Sequence, residues 1–501
     1  MPFSTRLLTA LDTLTFGERA LRWTCVVVLI AAFATLPGRP PAYDDAWFLE
    51  QAWFVANEGH LRSELFRGML GWEQWVYITQ KAGVLLTAGF VRLLGPVPLA
   101  AQLPGLLYAI VCNVVIAAWL QRVRPGDRTT VLVATTMLWA NGAFVDFAFL
   151  VRPEPIVAAL ALASCGVLQG VFVPQWRPLA RAALAGALAG ATPLFHLNGA
   201  MTIAAGGLVL VVRRQWSRAA VFSIVALAVA SLYVVDALVR GELAWMVHQF
   251  RFDPATGGST SIGGKLAAIA SVHRIFLHGP AQVTMSITLV LAVIAFRRRN
   301  TNGNDDAAVR GLLLHAGALL VAFLVLLNRP AHMYALLFCP FATTAFAMTH
   351  DLARRVTDTT LRRTVAVVFV AAVLAGLGHH VRLVADNIEA RNELRWNEHI
   401  ASLLPKKDVA VVAPLHFVYG QLPRFRILGL AKYAFVDRTT GRAWDLASLA
   451  ADAASHDIEY LVFERRRGFH NFDPPEYPDR VGAYERFVFE PPLVIYRRAG
   501  S

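Results

Sequence analysis

Hydrophobic stretches long enough to cross a bilayer alternate with short, arginine-rich links along most of this chain. Apolar runs fall at about 20–37, 99–120, 131–150, 155–172, 182–196, 199–212, 219–238, 278–296, 311–328, 331–349 and 364–381. A bilayer core calls for about 20 apolar residues of helix, so each run predicts a membrane span. Basic residues gather at Arg6/Arg19/Arg22, Arg122/Arg124/Arg128, Arg177/Arg181, Arg213/Arg214/Arg218, Arg297–Arg299 and Arg354/Arg355/Arg362/Arg363. The positive-inside rule puts those links in the cytoplasm and leaves 38–98, 151–155, 196–199, 239–277 and 328–332 outside. The expected architecture is a polytopic α-helical membrane protein of about 11 spans, with its N-terminus cytoplasmic and its C-terminal region external.

Two stretches constrain that count. Val76–Leu94 is apolar but carries Lys81 and Arg92, and counting it as a span would move every later basic link outside. It reads as an interfacial helix of the first external loop. Ala182–Val212 is flanked by Arg181 and Arg213, so a single crossing breaks the rule. Two short helices meeting at Pro193-Leu-Phe-His-Leu-Asn198 satisfy it.

After His380 the pattern turns soluble. Asp408–Ala413, Tyr460–Phe463 and Leu493–Tyr496 read as buried strands, and Ala447–Ser455 as a helix. The expected division is a membrane module over 1–384, with external loops 38–98 and 239–277, and a small periplasmic α/β domain over 385–501.

Composition agrees. The chain is 56% hydrophobic and 16% charged, against about 25% charged in soluble proteins. Its net charge of +13 lies largely in the basic links, which accounts for it without nucleic acid as a partner. Cys25, Cys112, Cys165 and Cys339 lie in or beside apolar runs and read as small buried hydrophobes. The N-terminal stretch has no small-residue cleavage site, so the first span reads as a retained anchor.

Ionisable groups near spans are costly and are the first place to look for chemistry. The strongest signal follows the first run: Pro40-Pro-Ala-Tyr-Asp44-Asp45-Ala-Trp-Phe, continuing to Gly59-His60. The prolines stop the first helix. An amphipathic helix follows, with Trp47, Phe48, Trp53 and Phe54 suited to the headgroup region and Gly59 placed to end it. One carboxylate can cap this helix while the other does chemistry.

An acidic pair opening a helix just after the first span resembles the GT-C superfamily of glycosyltransferases, nearest to its aminoarabinose transferases and protein O-mannosyltransferases. Arg152-Pro-Glu154 is similar to the family's Arg-Pro-Asp, with Glu in place of Asp. Thr192-Pro-Leu-Phe-His196 is similar to its Pro-containing break. Asn328-Arg-Pro-Ala-His-Met-Tyr334, followed by Pro340, resembles its basic-Tyr-Pro segment. Gln80-Lys81-Ala-Gly keeps the lysine of the aminoarabinose transferases' Lys-Pro-Pro but not the prolines, which leaves sugar and acceptor unassigned. The resemblance spans roughly residues 20–350.

It implies a multi-pass enzyme of the bacterial inner membrane that moves a sugar from a polyprenyl-phosphate donor to a glycan, lipid or protein acceptor of the envelope. Such a donor needs a carboxylate base at the acceptor hydroxyl and cations at the departing phosphate. In-line attack inverts the anomeric centre. Asp45 is the expected base, with Asp44 second; Glu154 has three open roles: metal binding, acceptor orientation or pairing with Arg152. Arg329 and Lys81, then Arg251, His248 and His273, are the expected phosphate cations, with Arg152, His332 and Tyr334 completing the substrate set. Arg329 and His332 also read as residues snorkelling at a span end. His196 and Asn198 read as a helix-end hydrogen-bonding pair, and Asp146 as a partner for Arg152. Some superfamily members hold a divalent cation; Asp45 and Glu154 are a small ligand set for one, so the sequence names no metal site.

Two other classes share these features. A transporter or flippase of a lipid-linked sugar also has many spans and buried charges, but no internal repeat is evident here. An O-antigen polymerase or ligase places its arginines late in the chain, whereas the acidic signature here follows the first span.

Overall fold

The computed structural model describes residues 12–41, 43–253, 262–297, 304–326, 331–434, 443–464 and 472–500. Arg329 and most of the Gly/Ser-rich stretch 257–264 lie outside them. The chain divides into two compact units, one of 1–39, 105–233 and 259–389 and the other of 40–104, 234–258 and 390–501.

In the first unit the apolar runs fold as helices. Run 20–37 gives Glu18–Ala34, 155–172 gives Glu154–Gln169, 278–296 gives Pro280–Arg297, and 364–381 lies inside Thr359–Glu389. Run 131–150 is two helices, Arg128–Trp139 and Gly142–Ala148, bent by 73°. Ala182–Val212 is broken as expected into Pro178–Phe195 and Ala200–Val212. Among the described residues, five helices are long and apolar enough to cross a membrane, or six with the bent pair.

Small residues let helices approach closely. Ala182, Ala185, Gly186, Ala189 and Gly190 are all buried in Pro178–Phe195, which packs along Trp216–Ala230. Trp119, Trp139, Phe144, Phe149, Phe323 and Phe346 fill the interior. All four cysteines are buried and free. Two basic links assigned to one face come together, with Arg124 Nε 2.9 Å from Asp351 Oδ2 and Arg354 Nη2 2.7 Å from Asp127 Oδ2.

The second unit is built on a six-stranded sheet of order β2-β1-β3-β6-β5-β4. Its strands are β1 (Ala410–Ala413), β2 (Arg426–Gly429), β3 (Ile458–Glu464), β4 (Arg480–Val481), β5 (Tyr484–Glu490) and β6 (Leu493–Arg498). β1 pairs in parallel with β2 and β3; the remaining pairs are antiparallel. The helix Leu446–Ser455 starts at an Asp445/Ser448 capping box and covers one face through Leu449, Ala450 and Ala453.

The first-loop segment joins this unit by backbone pairing, Gly429 N–H donating to Leu65 O at 2.8 Å. Val76–Leu94 yields the helix Lys81–Leu94, whose 14 residues reach about 21 Å, short of a bilayer core of about 30 Å.

Candidate functional site

In the second unit the predicted acidic helix runs Tyr43–Glu58. Gly59, at φ +71°, ends it. Asp44 is half-buried and Asp45 wholly buried. Of the helix aromatics, Trp47 packs on Phe66 and Trp72, with centroids 5.4 and 5.3 Å away, Phe48 and Phe54 are buried, and Trp53 is half-buried. Loop 61–77 supplies Phe66 and Trp72 to that packing.

One turn along, Glu50 anchors that loop. Its carboxylate accepts from Ser63 Oγ at 2.6 Å, Glu64 N at 2.7 Å and Leu65 N at 2.9 Å. Burial outweighs these donors and pushes its carboxyl up to about 8. Helix Tyr43–Glu58 also packs against the turn Leu415–Gln421. There Tyr419 is fully buried, and burial, then the charges of Asp45 and Glu393, push its phenol well above the ordinary range. Asn397 pins this turn by donating to His416 O and Tyr419 O at 2.6 and 3.0 Å. His416 Nε2 stands 2.8 Å from Glu464, which also receives Arg391 at 2.6 Å.

Lys81, His248 and Arg251 belong to the same unit. Lys81 Nζ sits 2.5 Å from Asp236, and burial, partly offset by that carboxylate, lowers its affinity for its proton. Gln249 staples helix Leu243–Phe252 to the first loop, accepting from Tyr77 N at 2.9 Å and donating to Trp75 O at 2.7 Å. On that helix His248 stacks on Trp245 at 4.8 Å, and Arg251 lies over the Phe252 ring at 5.4 Å.

The first unit brings together three links that the charge rule places on one face. Arg152 Nη2 bonds Glu154 at 2.9 Å, with Glu154 buried at the start of its helix, and also reaches the sulfur of Met333. The expected Arg152–Asp146 pair is not made: Asp146 Oδ1 takes His379 Nε2 at 2.8 Å, and its backbone O takes Arg39 at 2.6 Å. The 73° bend explains this, since it turns Asp146 toward the helix carrying His379. His196 Nδ1 accepts from Asn198 N at 3.1 Å, the helix-end bond read from the sequence.

His196 is more than a cap, however: its ring meets Tyr334 edge-on at 6.3 Å. Phe147 lies 5.9 Å from the Arg152 guanidinium and 6.1 Å from the His332 ring. His332 stacks on His278 at 5.0 Å. Beside them is a cavity of 260 Å³ lined by Asn141, Asp146, His278, Gln282, His332 and His379. His273 stands apart, exposed, with its Nδ1 2.9 Å from Ala270 O.

Sequence reasoning missed His278, His379, Asp236 and Glu50. Asp146 and His278, polar at the ends of apolar runs, were the available signals. Among the described residues no three His, Cys, Asp or Glu side chains gather in a metal-binding group.

The sequence matches no protein-family model and no curated protein. The fold as a whole is similar to that of solved structures. One similar structure is ArnT from Cupriavidus metallidurans bound to undecaprenyl phosphate, with a TM-score of 0.61 at 14% identity, covering 97% of this chain and 99% of that one. Another is the apo oligosaccharyltransferase of Archaeoglobus fulgidus, with a TM-score of 0.50 at 13% identity, covering 90% of this chain and 70% of that one. A third is the archaeal oligosaccharyltransferase AglB from Archaeoglobus fulgidus in complex with an inhibitory peptide and a dolichol-phosphate, with a TM-score of 0.50 at 12% identity, covering 88% of this chain and 69% of that one. At these identities the likeness is one of fold.

Proposed function

We propose that this protein is a glycosyltransferase of the bacterial inner membrane, moving a sugar from a polyprenyl-phosphate donor to an envelope acceptor on the periplasmic face. The observation that carries this reading is the GT-C fold over 97% of the chain, shared with a structure that holds undecaprenyl phosphate. Asp45, buried at the first turn of its helix, is the general base that takes the proton of the acceptor hydroxyl. Attack opposite the departing phosphate inverts the anomeric centre. Asp44 is the second candidate for the base, and Glu154, paired with Arg152, orients the acceptor. Arg152, His332, Tyr334, Lys81, His248 and Arg251 are the candidate donors and cations for phosphate. Arg329 and His273 keep this role from the sequence alone.

Native mass spectrometry of the full chain in mild detergent tests the reading. A co-purifying polyprenyl phosphate or its glycoside is expected, and the extra sugar mass identifies the donor. Bulk phospholipid alone, where a control enzyme retains its carrier, would overturn it in favour of transport or scaffolding.

A further inference from the structure

The cavity beside His278 and His332 is lined wholly by the first unit and sits at the bend between the helices Arg128–Trp139 and Gly142–Ala148. Asn141 holds that bend: its side chain accepts from Phe144 N at 3.0 Å and donates to Ala281 O at 3.2 Å, which ties it to the helix Pro280–Arg297. On another wall, a Cβ on Gly376 would run into the Ala140 carbonyl, and one on Gly142 would stand 2.6 Å from His379 Cδ2. Glycine at both places lets helix Thr359–Glu389 press against the bend and bring His379 to Asp146. The cavity is therefore braced by hydrogen bonds and close helix contacts on several sides.

One of its walls carries a polar group the protein itself does not use. Gln282 is 6% exposed; its backbone carbonyl accepts from Ser286 Oγ at 2.9 Å, and its side-chain amide has no hydrogen-bond partner among the described residues. An unpaired buried amide is costly, and in a cavity wall it is set for a partner that enters the cavity.

The rest of the lining selects that partner's chemistry. No lysine or arginine lines the cavity, and Arg39, 3.9 Å from Asp146, is engaged with that carboxylate from outside the lining. His278 and His332 stack 5.0 Å apart, where two positive charges would repel, so the pair does not supply two cations. An anion is thus poorly matched inside the cavity. A hydrocarbon chain would leave Gln282, Asp146 and the imidazoles facing apolar groups. Hydroxyls both donate and accept, which suits the Gln282 amide and the Asp146 carboxylate; a carboxylate accepts several hydrogen bonds, so Asp146 can hold His379 and a hydroxyl at once. Met137, Phe147 and Met285 offer apolar surface to the C–H faces between such hydroxyls. A volume of 260 Å³ lies just under the roughly 300 Å³ at the small end of ligand sites, which suits one ring rather than an oligosaccharide.

We propose that this cavity binds one neutral saccharide ring, with Gln282 and Asp146 as its hydroxyl-binding residues. The inference rests on the glycosyltransferase reading above for the source of the ring, and assigns two residues that have no role in that reading.

Saturation-transfer NMR on the full chain in detergent, with a panel of neutral pentoses and hexoses as probes, tests the site. At least one sugar is expected to bind, and Gln282→Leu and Asp146→Asn are each expected to weaken it about fivefold or more, as for a lost hydrogen bond. Because Gln282→Leu removes an unpaired buried amide, its thermal transition should hold or rise; weaker binding at kept stability separates a ligand site from a packing residue. Should Gln282→Leu fail to fold, Gln282→Met replaces it. Equal binding by wild type and both variants, no sugar signal at tens of millimolar, or displacement of the sugar by an equal concentration of inorganic phosphate overturns the proposal. Native mass spectrometry of the co-purifying carrier is the independent arm. A lower share of glycoside over bare polyprenyl phosphate in Gln282→Leu assigns the ring to the donor; an unchanged share with weaker free-sugar binding assigns it to the acceptor. If wild type retains no polyprenyl species, the carrier reading falls while sugar binding in the NMR experiment still stands.

Discussion

Lys81 and Asp236 stand 155 positions apart in the chain and 2.5 Å apart in the folded protein. Asp236 also accepts from the Trp75 indole at 3.1 Å, so it ties the lysine to the first loop. In the proposed phosphate role of Lys81, an arriving phosphate has to compete with Asp236 for the ammonium. Asp236→Asn is therefore expected to raise retention of undecaprenyl phosphate severalfold, and Lys81→Met to lower it about tenfold. Native mass spectrometric titration reads both. Weaker retention in Asp236→Asn would show that the carboxylate positions the lysine instead of competing for it.

Asp45→Asn is expected to cut turnover of the co-purifying donor by at least about 100-fold, the low end for loss of a general base. Release of polyprenyl phosphate in native membranes measures it. Donor retention and the thermal transition should stay close to wild type. Turnover above a tenth of wild type moves the base elsewhere, and Asp44→Asn is then the next variant to assay.

Burial alone would raise the Glu464 carboxyl, but His416 and Arg391 outweigh it and hold it at about 2, below the ordinary 4.5. A carboxylate lowered on folding contributes stability that is complete above about pH 4.5 and fades as pH falls toward 2. Trp396, which donates its indole N–H to Glu464 at 3.0 Å, is a natural reporter. Thermal unfolding followed by tryptophan fluorescence should show a steep loss of stability below about pH 4.5. Glu464→Gln should destabilise by about 3 kcal/mol at pH 7, as when one partner of a buried ion pair is removed, and flatten the acid limb. An unchanged acid limb would assign the loss to other carboxylates.

The buried native cysteines give a quiet background for mapping sidedness. Asn57→Cys and Ala434→Cys, both at exposed positions, should react with an impermeant thiol reagent in intact spheroplasts. Protection of either site until the membrane is permeabilised would reverse the proposed orientation and, with it, the proposed periplasmic reaction.

The helices of the first unit were legible because the apolar runs have the lengths a membrane imposes, and because Arg181 and Arg213 betray the break between them. The start of helix Tyr43–Glu58 and its end at Gly59 were equally plain, since prolines and glycine punctuate locally. Strand β5 was not. Its Phe487 and Phe489 are 40% and 55% exposed, with arginines over both rings, so it presents no buried apolar run. Nor were the partners of the candidate residues. Asp236 for Lys81 and His379 for Asp146 are choices made by tertiary packing across 155 and 233 positions, which no local pattern encodes. Arg152 took Glu154, two residues away, because the bend at Asn141 carries Asp146 off to another helix.

The second unit draws on three separated stretches, 40–104, 234–258 and 390–501. During synthesis the stretch bearing Asp45 emerges first and the one bearing β1 and β2 last, so Leu65 waits for Gly429 while most of the protein is still being made and inserted. The acidic helix thus completes its surroundings only after the Leu415–Gln421 turn has been made. A ribosome that stalls before residue 390 leaves the Asp45 helix without the turn it packs against.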